Sequence, residues 1–290
     1  MDLTRNIALP AELSQSQRSA LVSLLADEDP EVYRTVRAKL LSYGPRAAEW
    51  LRPHTMSDDP ALRRRACQIV LHFDRQAADD HFLAFCLRHG EEFDLEQGAW
   101  LLAQTQHPRI NVAGYQALLD GYANELRGRL GATAEPELVL SIINQYLFAE
   151  LGFSGNEENY YDPETSYLNR VMDRRTGNPI NLCLVYLFLA RRLRLPVAGI
   201  GLPGHFICRY QSSATEIYFD PFNRGKFLTK ADCVQRVTNA NFSLRDDFLA
   251  PVSSRRFLLR ICSNLHQIYQ RREEAVEAMR LQRYLVALAR

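Results

Sequence analysis

Long apolar runs are missing from this sequence. The longest, Leu182–Ala190 (LCLVYLFLA), is only about half as long as a membrane-spanning helix must be. The first residues, MDLTRNIALPAELSQSQ, also lack the apolar stretch of a secretory signal. We therefore expect a cytoplasmic protein without a membrane partner, in which Leu182–Ala190 is a buried core segment.

An excess of charge of one sign and the cysteine spacings of metal sites are missing as well. The 35 Lys and Arg residues nearly balance the 34 Asp and Glu residues, for a net charge of +1, so neither nucleic acid nor an anionic membrane is the expected partner. No two of the six cysteines form a CxxC pair, and none joins histidines at zinc-ligand spacing. We expect reduced thiols, no metal site and no cofactor.

The chain does contain 47% hydrophobic residues over 290 positions, enough for a large packed core. Residues 1–133 predict one helix after another. Asp27–Pro30 and Ser57–Pro60 each place an acidic cap and a first-turn proline before an apolar helical pattern. This repetition favours a HEAT-like helical arm, with two similar caps arising by chance as the alternative.

The rest of the chain predicts a small mixed core and a helical tail. Asn178-Pro179 begins a helix that is apolar on all sides in its centre, so other elements should surround it. Strands are expected at Val197–Leu202, His205–Tyr210 and Glu216–Asp220. The predicted fold class is α+β and mostly helical, with the helical arm at 1–133, a core with a short antiparallel sheet at 134–245, and a helical hairpin of tetratricopeptide length at 246–290.

Two polar residues are expected at one end of this sheet. His205 begins the second strand and Asp220 ends the third, and these positions are neighbours in antiparallel strands joined by a short turn. A carboxylate beside an imidazole orients the ring and raises its basicity. The amino end of the buried helix would add a positive potential that stabilises a thiolate. A purely structural pair is the alternative, and one His with one Asp is too few for a catalytic metal.

Four motifs carry a resemblance to a known family: Asn156–Asn169 (NEENYYDPETSYLN), Arg174–Tyr186 (RRTGNPINLCLVY), Gly201–Arg209 (GLPGHFICR) and Tyr218–Asn223 (YFDPFN). Together they resemble the transglutaminase-like superfamily, specifically the SirB-type bacterial family, which joins such a core to tetratricopeptide helices. Eukaryotic F-box proteins with a related domain are similar here. The resemblance implies a transglutaminase-like, papain-like α+β core at 134–245.

The resemblance also implies a role for each matching residue. The superfamily's general base or acid corresponds to His205, and its orienting carboxylate corresponds to Asp220. Its nucleophilic cysteine corresponds to Pro179 or Ile180, neither of which is a nucleophile. Cys183 lies one helical turn further into the core, about 6 Å further along the helix axis. Burial away from water at that position is expected to raise the pKa of its thiol.

Three more residues are candidates for contacting a ligand. Asn181 is expected about where the thiol would be, and it could hydrogen-bond His205 or a ligand, with helix capping as the alternative. Asn178 is expected to be the helix cap at the same place. Tyr161 could line a cleft, or its ring could simply anchor its loop.

The sequence leaves three functions open. The missing first-turn thiol and the helical tail favour a non-catalytic, vestigial transglutaminase-like protein that binds a protein partner. The second function is a cysteine-dependent hydrolase or acyltransferase, in which Cys183 attacks, His205 moves the proton and Asp220 orients the ring. Cys208 is a poorer nucleophile, because its odd offset from His205 places it on the other face of the strand. The third function is a small-ligand binder at the cleft between His205 and Asp220.

Overall fold

The protein is mostly helical in the computed structural model, which describes residues 13–131, 135–159, 161–239 and 249–290. These residues form 12 α-helices and a small antiparallel sheet, as the predicted fold class requires. The chain divides into two compact units, residues 1–80 and 81–290, and each has its own hydrophobic core. The division into three parts that the sequence predicts, at 1–133, 134–245 and 246–290, stays a prediction.

The first unit is built from short helices with well-formed caps. Its elements are α1 (Gln15–Leu25), α2 (Pro30–Ser42), α3 (Pro45–Leu51), a 3₁₀ turn (Arg52–Met56) and the first part of α4 (Pro60–Arg88). The Asp29 carboxylate accepts from the N–H of Glu31, and the Asp59 carboxylate accepts from the N–H of Ala61. Both predicted acidic caps are therefore confirmed, while the HEAT-like character of the arm stays a prediction.

The second unit contains the remaining helices. They are α5 (Leu95–Gln106), α6 (Val112–Leu130), α7 (Pro136–Asn144), α8 (Leu168–Arg174), α9 (Pro179–Arg192), α10 (Lys230–Asn239), α11 (Ser254–Arg271) and α12 (Ala275–Leu288). A π-helical turn (Gln145–Glu150) follows α7, and 3₁₀ turns lie at Pro163–Ser166 and Pro221–Asn223. Helix α9 lies where the Asn178-Pro179 pair predicts a helix, and α11 and α12 lie where the sequence predicts a helical hairpin.

The sheet has four strands in the order β3–β4–β5–β6, all antiparallel. They are β3 (Val197–Leu202), β4 (His205–Gln211), β5 (Glu216–Asp220) and β6 (Lys226–Leu228). The first three strands match the sequence prediction. The fourth was not expected, because three residues are too few to show the alternation that marks a strand. A parallel pair of two-residue strands, β1 (Ser154–Gly155) and β2 (Thr176–Gly177), was missed for the same reason.

The expected buried helix, α9, occupies the centre of the second unit. It contacts α6 on one side and strands β3 and β4 on another, and nearly all of its residues are buried. The preceding helix, α8, ends at Arg175, which takes the left-handed conformation with φ 54°. The nearby glycine, Gly177, lies in β2 and does not end the helix.

The hairpin of α11 and α12 belongs to the same hydrophobic core. Phe257 of α11 packs against β3 at Gly199, where an added Cβ would lie 2.2 Å from the ring. This glycine therefore allows the close approach of the helix to the sheet.

None of the helices in the described part of the chain is long and apolar enough to span a bilayer.

The Arg255 guanidinium donates hydrogen bonds to carbonyls at the ends of two helices in the second unit. Arg255 is only 7% exposed. Its Nε donates to the carbonyl of Leu288 (2.9 Å) and its Nη2 to that of Ala287 (2.8 Å), both near the end of α12. Its Nη1 donates to the carbonyls of Cys86 (3.1 Å) and His89 (2.9 Å), near the end of α4. These carbonyls have no intrahelical donors, so the buried charge satisfies them.

Candidate functional site

His205 and Asp220 meet at one end of the sheet. His205 begins β4 directly after a tight turn in which Gly204 takes a φ of +66°. Asp220 ends β5, one residue beyond the last paired position between the two strands. The imidazole Nε2 lies 2.7 Å from the carboxylate Oδ2 of Asp220. The two residues that the sequence brought together are thus joined by a direct hydrogen bond.

The Asp220 carboxylate is fully buried and well satisfied. Its Oδ1 accepts from the backbone N–H of Phe222 (3.1 Å) and of Asn223 (3.4 Å), and its Oδ2 also accepts from the Asn223 side-chain amide (2.7 Å). The Arg236 guanidinium lies 3.6 Å from Oδ2. Burial raises the pKa of Asp220, but the hydrogen bond and charge of His205, the Asn223 amide and Arg236 together hold it below its ordinary value. Asp220 is therefore ionised at neutral pH.

This arrangement sets which imidazole nitrogen is basic. An ionised carboxylate only accepts hydrogen bonds, so Nε2 carries the proton that Asp220 accepts. The other ring nitrogen, Nδ1, is then the basic atom of the neutral ring. The edge of the ring also meets Phe222, with centroids 5.8 Å apart and the planes nearly perpendicular. The imidazole is thus held on two sides, and its side chain keeps 12% exposure.

The exposed part of His205 faces a cavity of about 340 Å³. One wall consists of the first turn of α9, at Asn178, Pro179 and Ile180, and the β4 end supplies Gly204, His205 and Phe206. The opposite wall is one face of α11: Arg260, Asn264, Gln267, Ile268 and Arg271. Tyr161 completes the rim, and its ring lies 4.4 Å from the guanidinium carbon of Arg271.

The predicted cap of α9 forms, and it involves both candidate asparagines. Asn178 Oδ1 accepts from the backbone N–H (3.0 Å) and the side-chain amide (3.1 Å) of Asn181, while Asn178 Nδ2 donates to Ser166 Oγ (3.0 Å). Asn178 also lines the cavity, but Asn181 is 1% exposed and is not among the described lining residues. The structure therefore places Asn181 in the cap, with Asn178 as its partner, rather than at the cavity wall.

Cys183 lies away from this cavity. It is fully buried on α9, and the side chain of Cys208 on β4, which lies near it, is fully buried as well. Burial raises the pKa of the Cys183 thiol well above its ordinary value, and Cys208 and the negative charge of Asp220 raise it further. Cys183 is thus a protonated core thiol, and Pro179 and Ile180 occupy the helical turn that faces His205.

Sequence reasoning missed the α11 wall of the cavity. Arg260, Asn264, Gln267 and Arg271 follow each other at three- and four-residue spacing, which places them on one face of the helix. The same spacing was visible in the sequence, but the helix carries other polar residues as well, so the pattern did not single out these four. Its place opposite His205 depends on how α11 packs, and a one-dimensional pattern does not contain that information.

The chain is also similar in sequence to known proteins. Residues 113–263 match the family model described as "Transglutaminase-like superfamily". A "UPF0162 protein" of Xylella fastidiosa is 37% identical over 185 residues, which are 62% of this chain and 66% of that relative. A UPF0162 protein of Pseudomonas aeruginosa is 28% identical over 201 residues, 67% of this chain and 72% of that relative.

A similarity over a shorter part of the chain reaches eukaryotic proteins. "F-box only protein 21" of Mus musculus is 34% identical over 145 residues, which cover 46% of this chain but only 22% of that protein. The chain thus spans just under two thirds of the Xylella relative and a much smaller part of the F-box protein. No solved structure matches the chain.

Proposed function

This chain belongs to the transglutaminase-like superfamily, and from that premise we propose that it is a SirB-type member that binds a protein partner without thiol chemistry. In this proposal the core is vestigial as an enzyme, and its tetratricopeptide-like hairpin contributes to binding. His205, which Asp220 holds in place, contributes a rigid, polar part of the wall on which a partner segment rests.

The observation that carries the proposal is the identity of the residues facing His205. Among the described residues that line the cavity there is no cysteine, and the first turn of α9 presents Pro179 and Ile180. Attack on a carbonyl needs a thiol within hydrogen-bond reach of the base. Cys183 is fully buried, and its raised pKa keeps it protonated. The dyad therefore has no nucleophile to activate.

The preserved cavity supports binding as the remaining role. Its volume of about 340 Å³ suits one or two side chains or the end of a peptide, and its lining combines polar residues with apolar ones. The Asp220 hydrogen bond orients the imidazole, so the wall is organised before a ligand arrives. Such preorganisation lowers the entropic cost of binding.

Alkylation of the native protein by iodoacetamide tests the proposal. The described structure leaves Cys67 partly exposed and buries Cys86, Cys183, Cys208, Cys233 and Cys262. We expect Cys67 to react at the rate of an ordinary thiol and the other five to react slowly, as measured by mass spectrometry of peptides. A His205→Ala variant should show the same rates, because no thiol depends on the imidazole.

The alternative enzyme gives the opposite pattern. If Cys183 were the nucleophile of a hydrolase or acyltransferase, it would react faster than Cys67 below neutral pH, and His205→Ala would slow it. That result would overturn the proposal. The Cys67→Ser variant serves as the matched control, because it removes the exposed thiol and leaves any signal from Cys183 in isolation.

A further inference from the structure

The cavity beside His205 carries an uneven distribution of charge. Its described lining residues include the guanidinium groups of Arg260 and Arg271 but neither aspartate nor glutamate. The nearby carboxylate of Asp220 is fully buried behind His205 and lies 3.6 Å from the Arg236 guanidinium, so an opposite charge balances it. The two arginines are thus the charged side chains among the described lining residues, and both are positive.

Both guanidinium groups of the cavity are held in position. Arg271 lies over the ring of Tyr161, with 4.4 Å between the guanidinium carbon and the ring centroid. Arg260 Nη2 donates to the carbonyl of Leu202 at 3.0 Å, at the turn that leads to His205. A stacked or hydrogen-bonded guanidinium loses less entropy when it contacts a ligand.

The amino end of α9 adds partial positive charge to the same cavity. This helix has 14 residues, and its dipole places partial positive charge at its first turn. Pro179 has no N–H, and Asn178 accepts from the N–H of Asn181. Ile180 is the second residue of α9 and lines the cavity. Its N–H has no acceptor within the helix.

From these features we infer that the cavity binds the carboxylate of an acidic side chain in a partner peptide. A guanidinium presents a planar fork that matches a carboxylate, and the Asn264 and Gln267 amides on the same wall suit the neighbouring peptide groups. The inference rests on the proposed function, since it names the ligand class of that binding site. It goes further because it assigns specificity to Arg260 and Arg271 rather than to the His205–Asp220 pair.

The test compares charged and neutral probes on the full chain. The probes are an acetylated, amidated pentapeptide of four alanines with a central glutamate, the same peptide with a central glutamine, free glutarate, and inorganic phosphate. Binding is followed by NMR through the His205 ring resonances during titration. We expect the glutamate peptide to give saturable shifts, with an affinity at least about tenfold higher than that of the glutamine peptide.

Neighbouring arginines provide matched variants. Arg271→Gln should weaken binding of the glutamate peptide by about tenfold, because it removes a charged donor from the cavity. Arg272→Gln should leave the affinity unchanged, since this side chain is half exposed, pairs with Glu274 at 3.2 Å and is not among the described lining residues. Equal losses for the two variants would overturn the inference, because they would show a diffuse charge effect.

The remaining outcomes separate the two proposals. Equal affinity for the glutamate and glutamine peptides, or no saturable shift with either, overturns the carboxylate inference and leaves the absence of thiol chemistry untouched. Tighter binding of phosphate or free glutarate than of the glutamate peptide overturns the assignment to an acidic peptide. Fast alkylation of Cys183 that depends on His205 instead overturns the proposed function itself.

Discussion

Replacing Asp220 with asparagine should destabilise the second unit strongly, although the two side chains have nearly the same shape. The Asp220 side chain is fully buried, and its Oδ2 accepts from both His205 Nε2 and the Asn223 amide, each at 2.7 Å. In Asp220→Asn, one carboxylate oxygen becomes an NH₂ group that cannot accept. If Oδ1 stays in place to accept from the Phe222 N–H, the new donor faces His205.

The magnitude follows from what is lost. A hydrogen bond to a charged group contributes about 1.5–3 kcal/mol, and removing one partner of a buried charge pair costs about 3–5 kcal/mol. The losses at Asp220 are shared within one network and do not add. We therefore expect the free energy of unfolding to fall by about 3 kcal/mol at neutral pH. In a His205→Ala background the same substitution should cost about 1–2 kcal/mol less, because the strongest partner is already absent.

The two tryptophans allow each unit to be followed separately. Trp50 lies in the first unit, on α3, and Trp100 lies buried in the second, on α5. In a Trp50→Phe background, fluorescence during urea unfolding reports on Trp100 alone. Comparing this background with the same chain carrying Asp220→Asn, His205→Ala or both gives the complete double-mutant cycle.

The effect also has a definite pH dependence. The folded-state pKa of Asp220 is lower than its unfolded value, so its ionisation stabilises the fold at all pH values above the ordinary aspartate pKa of about 3.9. This stabilisation is lost as the pH falls through the lowered pKa of the folded state. The difference between wild type and Asp220→Asn should therefore shrink below about pH 4. A cost under about 0.5 kcal/mol at pH 7, or a difference that grows in acid, would refute the reasoning.

Three further predictions concern the cavity and the packing around it. Ile180→Cys should create a thiol that iodoacetamide alkylates at least about tenfold faster than a buried one, and His205→Ala should abolish much of the gain, because the helix end and the imidazole both stabilise a thiolate. Gly199→Ala should lower the free energy of unfolding by about 1–3 kcal/mol, since its Cβ would meet Phe257 at 2.2 Å. Arg255→Gln should cost about 3 kcal/mol, because buried carbonyls lose a charged donor.

Each of these has a close control in the chain. Cys183 itself, one turn deeper than Ile180, should stay slow in the same alkylation experiment. Gly201→Ala, whose Cβ would meet Val252 at 3.3 Å, should be much milder than the change at Gly199. Arg256→Gln alters an exposed neighbour of Arg255 and should change the free energy of unfolding by less than about 0.5 kcal/mol. Equal effects within any pair would contradict the corresponding explanation.

The secondary structure was predictable wherever a local pattern determines it. Helix α9 begins at Pro179, where the Asn178-Pro179 pair predicts a helix start, and β5 has the predicted bounds, Glu216–Asp220. The turns before His205 and after Asp220 were also visible, because proline and glycine mark them. The very short strands escaped detection, since β6 pairs only three residues and owes its existence to β5 beside it.

The candidate site was predictable only in part, because half of it comes from tertiary packing. The hydrogen bond between His205 and Asp220 followed from strand order, and the burial of Cys183 followed from its apolar neighbours. The contact of Cys183 with Cys208 depends on how α9 lies across β4, and no sequence spacing specifies it. The same holds for Arg271, which reaches the cavity from more than sixty residues away along the chain.

Helix α11 forms part of the cavity wall, so a ligand in the cavity would also affect how firmly the C-terminal hairpin is docked. A ligand that binds Arg260 and Arg271 contacts both the hairpin and the end of β4. By mass action, an occupant at one hundred times its dissociation constant would oppose undocking of the hairpin by about 2.7 kcal/mol. Amide hydrogen exchange in α11 and α12 should slow accordingly. Occupancy of the cavity would then stabilise the docked hairpin through direct contact, without any part of the sheet having to move.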